Sequence, residues 1–195
     1  MAAIMVPSGS DVACSGQRPV VLYAHGTTAA RSYNLAKWTD STQAAAGEGL
    51  MVAAMFAAQG YIVVAPNYAG YDKSTLPYHP YLDGDQQGKD MVDALTAARK
   101  TFSGIGANDA GSLFITGYSQ GGYVAMPGRW AAPPAPAMIA VSPRPAALSA
   151  YAKRASGIRW AETTFASWLI PNCWRISTAL RIVSQSELEP ITTPT

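Results

Sequence analysis

The sequence predicts an α/β fold with a mostly parallel sheet and crossover helices. Three observations predict it. Short runs are apolar at every position, such as Val20-Val21-Leu22-Tyr23-Ala24 and Ile62-Val63-Val64-Ala65, which suits strands buried on both faces. Stretches rich in helix formers separate the later runs, the alternation that a parallel sheet requires. Finally, Phe114-Ile115-Thr116 leads into Gly117-Tyr118-Ser119-Gln120-Gly121, a G-x-S-x-G pattern that reads as a sharp strand-to-helix turn with a serine at its tip.

The 195 residues point to one domain with a sizeable core. Apolar residues make up 49% and charged residues 13%, so the surface is sparsely charged. Net charge is +2 with Lys and Arg scattered, which argues against a nucleic-acid partner. No apolar stretch approaches the roughly 18 residues of a membrane span. No signal peptide is expected in the residues given: Pro7-Ser8-Gly9 closes the short apolar start, and no basic region precedes it. Cys14 and Cys173 could pair or remain two free thiols, and they lack metal-ligand spacing. No metal site is expected.

Taken in order, residues 2–6 read as a strand closed by a turn, and a strand so close to the first residue hints that something upstream is missing. Residues 19–24 form the next strand and end in His25-Gly26-Thr27-Thr28. Gly26 would let that loop approach a ligand closely. Residues 29–42 read as a loop. Residues 43–59 are helix formers, apolar nearly all round, with Gly60 as the stop.

Residues 61–66 are a buried strand. The loop Asn67-Tyr68-Ala69-Gly70-Tyr71-Asp72 follows at its carboxyl end, where open α/β sheets face their ligand. Residues 73–83 are a Pro- and Tyr-rich loop holding His79. Residues 85–100 are the clearest amphipathic helix, with acids near the start and Arg99 and Lys100 near the end. Gly104 and Gly106 break it, and residues 112–116 lead into the turn.

At that turn, Gly117 and Gly121 would spare a strained serine backbone from collisions. Ser119 would then stand at a helix N-terminus, whose dipole favours a developing negative charge. It is the candidate nucleophile.

The ordered set His25-Gly26-Thr27-Thr28, Val63-Val64-Ala65-Pro66-Asn67-Tyr68 and Gly117-Tyr118-Ser119-Gln120-Gly121-Gly122 resembles the α/β-hydrolase superfamily. Within it, the chain is most similar to bacterial esterases akin to the secretory lipases. The resemblance covers residues 2 to about 126. It implies an α/β-hydrolase fold and a cofactor-free carboxylic-ester hydrolase, often exported, acting on a small-molecule ester. It makes Ser119 the nucleophile and the backbone N–H groups of Gln120 and Thr27 the oxyanion hole. His25, in the same comparison, packs beneath the loop.

The superfamily places Asp or Glu and then His after the serine. No histidine follows Ser119, and the only later acids are Glu162, Glu187 and Glu189. A serine hydroxyl needs a base, which leaves His25 and His79 as the candidates within the chain. Composition also changes beyond residue 126. Prolines at 127, 133, 134, 136, 143 and 145 predict that the helix after the turn stops after about two turns. Residues 137–141 could be a strand and 160–170 a helix.

The expected organisation is a front part of a hydrolase core at residues 1–126 and a divergent or frame-altered segment at 127–195, with the fold incomplete at both ends. A divergent protein using the same front half differently is the alternative. Three functions are carried forward: a serine esterase or lipase-like hydrolase, a catalytically silent relative that binds an acyl ligand or a partner chain, and an acyltransferase or peptidase on the same turn.

Overall fold

The computed structural model describes residues 1–9, 15–131, 138–141 and 175–177. Among the described residues, six strands are β1 (Ala2–Ser8), β2 (Arg18–Ala24), β3 (Ile62–Pro66), β4 (Asp109–Gly117), β5 (Met138–Val141) and β6 (Arg175–Ser177). They form one sheet in the order β5-β4-β2-β3-β1-β6. The strands β3, β2, β4 and the edge strand β5 run parallel. On the other side, β1 is antiparallel to both β3 and β6. The expected mostly parallel α/β sheet is therefore present.

Three helices connect or follow the parallel strands: α1 (Ala46–Met55), α2 (Gly84–Thr101) and α3 (Gln120–Ala131). From β2 the chain passes through α1 to β3. It then returns through α2 across β2 to β4. Because such crossovers are right-handed, the two directions of travel put α1 on one face and α2 and α3 on the other. Accordingly, α2 and α3 pack against each other. The reversal makes the carboxyl ends of β2 and β4 a topological switch point, where a crevice opens.

The core is the sheet with the helix faces packed on it: Val20, Leu22, Ala24, Ile62, Val63, Val64 and Ala65 are fully buried, as are Val52 of α1, Met91 of α2 and Val124 of α3. The continuous apolar runs are thus explained by cover on both faces. Helix α2 begins where Asp83 accepts from the Gln86 N–H at 3.0 Å, an N-cap of about 1 kcal/mol. It ends near Gly106, which adopts φ +69°. At the edge of the helix, Arg99 bridges to Asp109 at 2.9 Å.

Two helices differ from expectation. The stretch 43–59 is helical only over Ala46–Met55, then tightens into a 3-10 turn at Ala57–Gln59 before Gly60 at φ +97°. Phe56 leaves helical geometry there, with φ −122°. Helix α3 runs through Pro127 to Ala131 instead of stopping after two turns. A proline removes one intrahelical bond at a cost of about 3 kcal/mol, and here the helix continues past it. The strand expected at residues 137–141 is β5, paired in register with β4. The helix expected at 160–170 and both cysteines lie outside the described residues.

Candidate active site

Strands β2 and β4 pair in parallel until Ala24 meets Gly117. Their two following segments, His25–Thr28 and Tyr118–Gln120, therefore leave the sheet side by side at the same level. Between β4 and α3 the chain turns in two residues. Ser119 sits at φ +56°, a left-handed conformation that costs a non-glycine residue about 1–3 kcal/mol. The turn is closed by Gly121 N–H donating to Tyr118 O at 2.8 Å and Gly122 N–H donating to Ser119 O at 3.0 Å. Ser119 is exposed.

Gly117 and Gly121 are required for a reason only the packing reveals. A Cβ on Gly121 would run into the Ala24 carbonyl, and one on Gly117 into the Gly121 backbone. The first turn of α3 thus lies directly on the end of β2. The glycines spare that contact, more than any clash with the serine itself. Gly26 is tight in a milder way, since its Cβ would lie 3.3 Å from the Tyr118 ring.

His25 is fully buried. Its Nδ1 lies 2.7 Å from Gly26 O and its Nε2 3.1 Å from Asn67 O. Its ring stacks on Tyr68 with centroids 4.0 Å apart, and burial pushes its pKa down. Asn67 is itself fixed, accepting from Leu35 N–H at 2.9 Å and donating to Asn34 Oδ1 at 3.0 Å. Two tyrosines hold the loop from β3's side: Tyr68 OH donates to His25 O at 3.1 Å and Tyr71 OH to Thr28 O at 2.7 Å.

His79 is half-buried. Its Nδ1 lies 2.8 Å from Ala69 O. Its Nε2 faces two side-chain amide nitrogens, Gln120 at 2.6 Å and Gln87 at 3.2 Å. These contacts fit an imidazole that carries its proton on Nδ1 and accepts at Nε2. Among the described residues, no hydrogen bond joins Ser119 Oγ to His25 or to His79.

The backbone donors sort themselves. Gly26 N–H is taken by a carboxylate, Glu48 Oε1, at 3.0 Å. No protein carbonyl among the described residues accepts from Thr27 N–H or Gln120 N–H. Thr27 is exposed while Gly26 is buried. Sequence reasoning passed over Glu48 and Tyr33 as parts of this site, and it named the Asn67 loop without a role for the Asn67 side chain. Glu48 did carry a signal: it is the single acid in the apolar stretch 43–59. No group of His, Cys, Asp or Glu among the described residues could hold a metal ion, and no described helix is long and apolar enough to cross a membrane.

Setting a serine on a strained turn over the crevice between two parallel strands is how the α/β-hydrolase class is built, and this chain has that fold. A model of the secretory lipase family matches residues 36–138, more than half of the chain, and the chain belongs to that family. It is similar to a rice cell wall degrading esterase, LipA, from Xanthomonas oryzae. A ligand-bound form of that esterase aligns at 33% identity over 65% of this chain and 31% of that one, with a TM-score of 0.58. A second structure of it gives the same identity and coverage with a TM-score of 0.57. This chain therefore spans about a third of the esterase's length. Comparison with curated protein sequences gives no match.

Proposed function

We propose that the chain is a serine carboxylic-ester hydrolase of the esterase or lipase type, acting on a small-molecule ester through an acyl-enzyme on Ser119. The observation that carries the reading is the pairing of Ala24 with Gly117, which sets an exposed serine at φ +56° beside the outward-facing Thr27. Ser119 Oγ attacks the ester carbonyl carbon, and the carbonyl oxygen becomes an oxyanion. The N–H groups of Gln120 and Thr27 receive that oxyanion, a form of stabilisation worth ~10²–10³ in rate per donor. The oxyanion collapses and the alcohol leaves with the proton given up by Ser119; water then attacks the acyl-enzyme, the acid departs and Ser119 is again a hydroxyl.

His25 supports this chemistry by position. In a trans peptide the C=O and N–H point in opposite directions, and the chain has no cis bond among the described residues. His25 holds Gly26 O on the buried side, so the N–H of the same peptide, that of Thr27, is turned away from it. Each ring nitrogen of His25 faces a carbonyl, and Nε2 of His79 is engaged by amides. Neither is well placed to take the Ser119 proton. Loss of a triad member leaves roughly 10³–10⁴-fold catalysis over water, so slow turnover is expected from these 195 residues alone.

Membership of a secretory family supports an exported protein. We also propose the division of the chain near residue 126. The pairing of β5 with β4 means that part of the second segment still adds a strand to the sheet.

The engaged histidines favour one second reading, a catalytically silent relative that binds an acyl ligand in the same crevice. One experiment separates the two. A fluorophosphonate probe should label the full chain at Ser119, and a short p-nitrophenyl ester should turn over at a rate that vanishes in Ser119→Ala. Absence of both labelling and turnover sinks the hydrolase reading for this chain and leaves the silent one.

A further inference from the structure

The carboxylate of Glu48, in the first turn of α1, collects three donors from separate parts of the chain. Its Oε1 accepts from Tyr23 OH at 2.7 Å and from Gly26 N–H at 3.0 Å. Its Oε2 accepts from Tyr33 OH at 2.6 Å. Charge-assisted bonds of this kind are roughly twice as strong as neutral ones, and a carboxylate near a helix N-terminus is favoured by the dipole. Burial, reinforced by Glu48, pushes both tyrosines' pKa well up, so they remain donors.

The loop needs such a hold. Position 26 is a glycine packed against Tyr118, and a glycine moves freely between positive and negative φ. Sterics alone would let the peptides on either side of it turn over. Three hydrogen bonds remove that freedom. Glu48 holds the His25–Gly26 peptide by its N–H and Tyr68 OH holds it by its C=O, while His25, in the tautomer protonated on Nδ1, holds the Gly26–Thr27 peptide by its C=O. With both peptide planes set, Thr27 N–H has one direction left.

We propose that Glu48 is a positioning residue of this loop, holding the Gly26 N–H so that the backbone keeps the one shape that turns Thr27 N–H outward beside Ser119. The catalytic meaning of that shape rests on the hydrolase reading above. The shape itself does not, and the two are tested separately.

The test uses the full chain labelled with nitrogen-15, as wild type, Glu48→Gln, Glu48→Ala and Ser119→Ala. In the wild type the Gly26 amide proton should be downfield and protected from hydrogen exchange, while that of Thr27 exchanges freely. Glu48→Gln keeps an oxygen for Gly26 and should retain the protection. Glu48→Ala should lose it by tenfold or more, with Thr27 giving shifted or doubled signals. Ser119→Ala should leave both amides as in the wild type.

If the wild type turns over ester, Glu48→Ala should lower kcat by ~10²-fold, the scale of a 1 Å misplacement, with KM within about twofold, and Glu48→Gln should restore most of it. An unprotected Gly26 amide in the wild type overturns the proposal, whether or not any variant folds. So does unchanged protection in a folded Glu48→Ala. A wild type without labelling or turnover removes the hydrolase reading, and the amide signals still decide what Glu48 holds.

Discussion

The side-chain amide of Gln120 donates to Nε2 of His79 across 2.6 Å. The two residues are 41 positions apart, and the bond ties the Pro- and Tyr-rich loop to the first residue of α3. Gln120 is nearly fully buried, so this contact anchors the residue whose backbone N–H is proposed for the oxyanion. His79→Ala should slow fluorophosphonate labelling of Ser119 by roughly tenfold, less than the ~10²-fold of a 1 Å misplacement. If His79 were the base itself, labelling would stop altogether.

Ser119 stores strain where the chemistry is proposed. Ser119→Gly relieves φ +56° because glycine adopts positive φ without a Cβ clash. Stability should rise by about 1 kcal/mol, while labelling disappears. Denaturant unfolding beside a labelling gel reads both effects, and an unchanged or lower midpoint would contradict the strain argument.

Two glycines should respond to alanine with opposite sign. A Cβ on Gly121 meets the Ala24 and His25 backbone, whereas nothing lies within 4 Å of one on Gly47. Gly121→Ala should destabilise by about 2 kcal/mol or more, because backbone cannot yield as a side chain can. Gly47→Ala, in α1, should stabilise by about 0.5 kcal/mol. Thermal melts of the two variants check the pair.

Two buried groups should bend the pH dependence of stability in opposite directions. His25 has a folded pKa depressed by burial. Its unfolded form therefore binds the proton first, and stability is lost as pH falls below the usual histidine value of about 6.5. Asp90 has a folded pKa raised by burial, while it accepts from Ala69 N–H at 2.8 Å. Its contribution is fully present below the unfolded value of about 3.9 and is lost as pH rises through the raised folded value. Asp90→Asn should flatten that acidic part of the curve and leave the slope near pH 6.5 intact. Urea unfolding from pH 4 to pH 8 provides the measurement.

Local pattern carried much of the architecture because its causes are local. Strands covered on both faces must be apolar at each position, which is why β2 and β3 were legible. The helix at residues 85–100 was legible from its amphipathic spacing and capping acids, and it is α2, Gly84–Thr101. Helix α3 was harder, since a proline shifts the odds of ending a helix without deciding them. The glycines of the turn were read from the motif alone, whereas the packing around them involves β2, a strand more than ninety residues earlier in the chain.

The sequence by itself determined the order of strands and helices from β1 to β5, the strand-to-helix turn at Ser119 and the family resemblance, because each is written in neighbouring residues; the strand β6 was not legible in it. Only the tertiary structure decided what the polar side chains do. It put His25 against Gly26 O and Asn67 O, His79 against Gln120 and Glu48 against Gly26 N–H. Apart from the Gly26 carbonyl beside His25, these partners lie at least 22 positions apart. Most buried polar atoms find a partner, but sequence does not say which distant group will supply it. That choice follows from which strand ends and helix starts the sheet brings to one level, here Ala24 and Gly117.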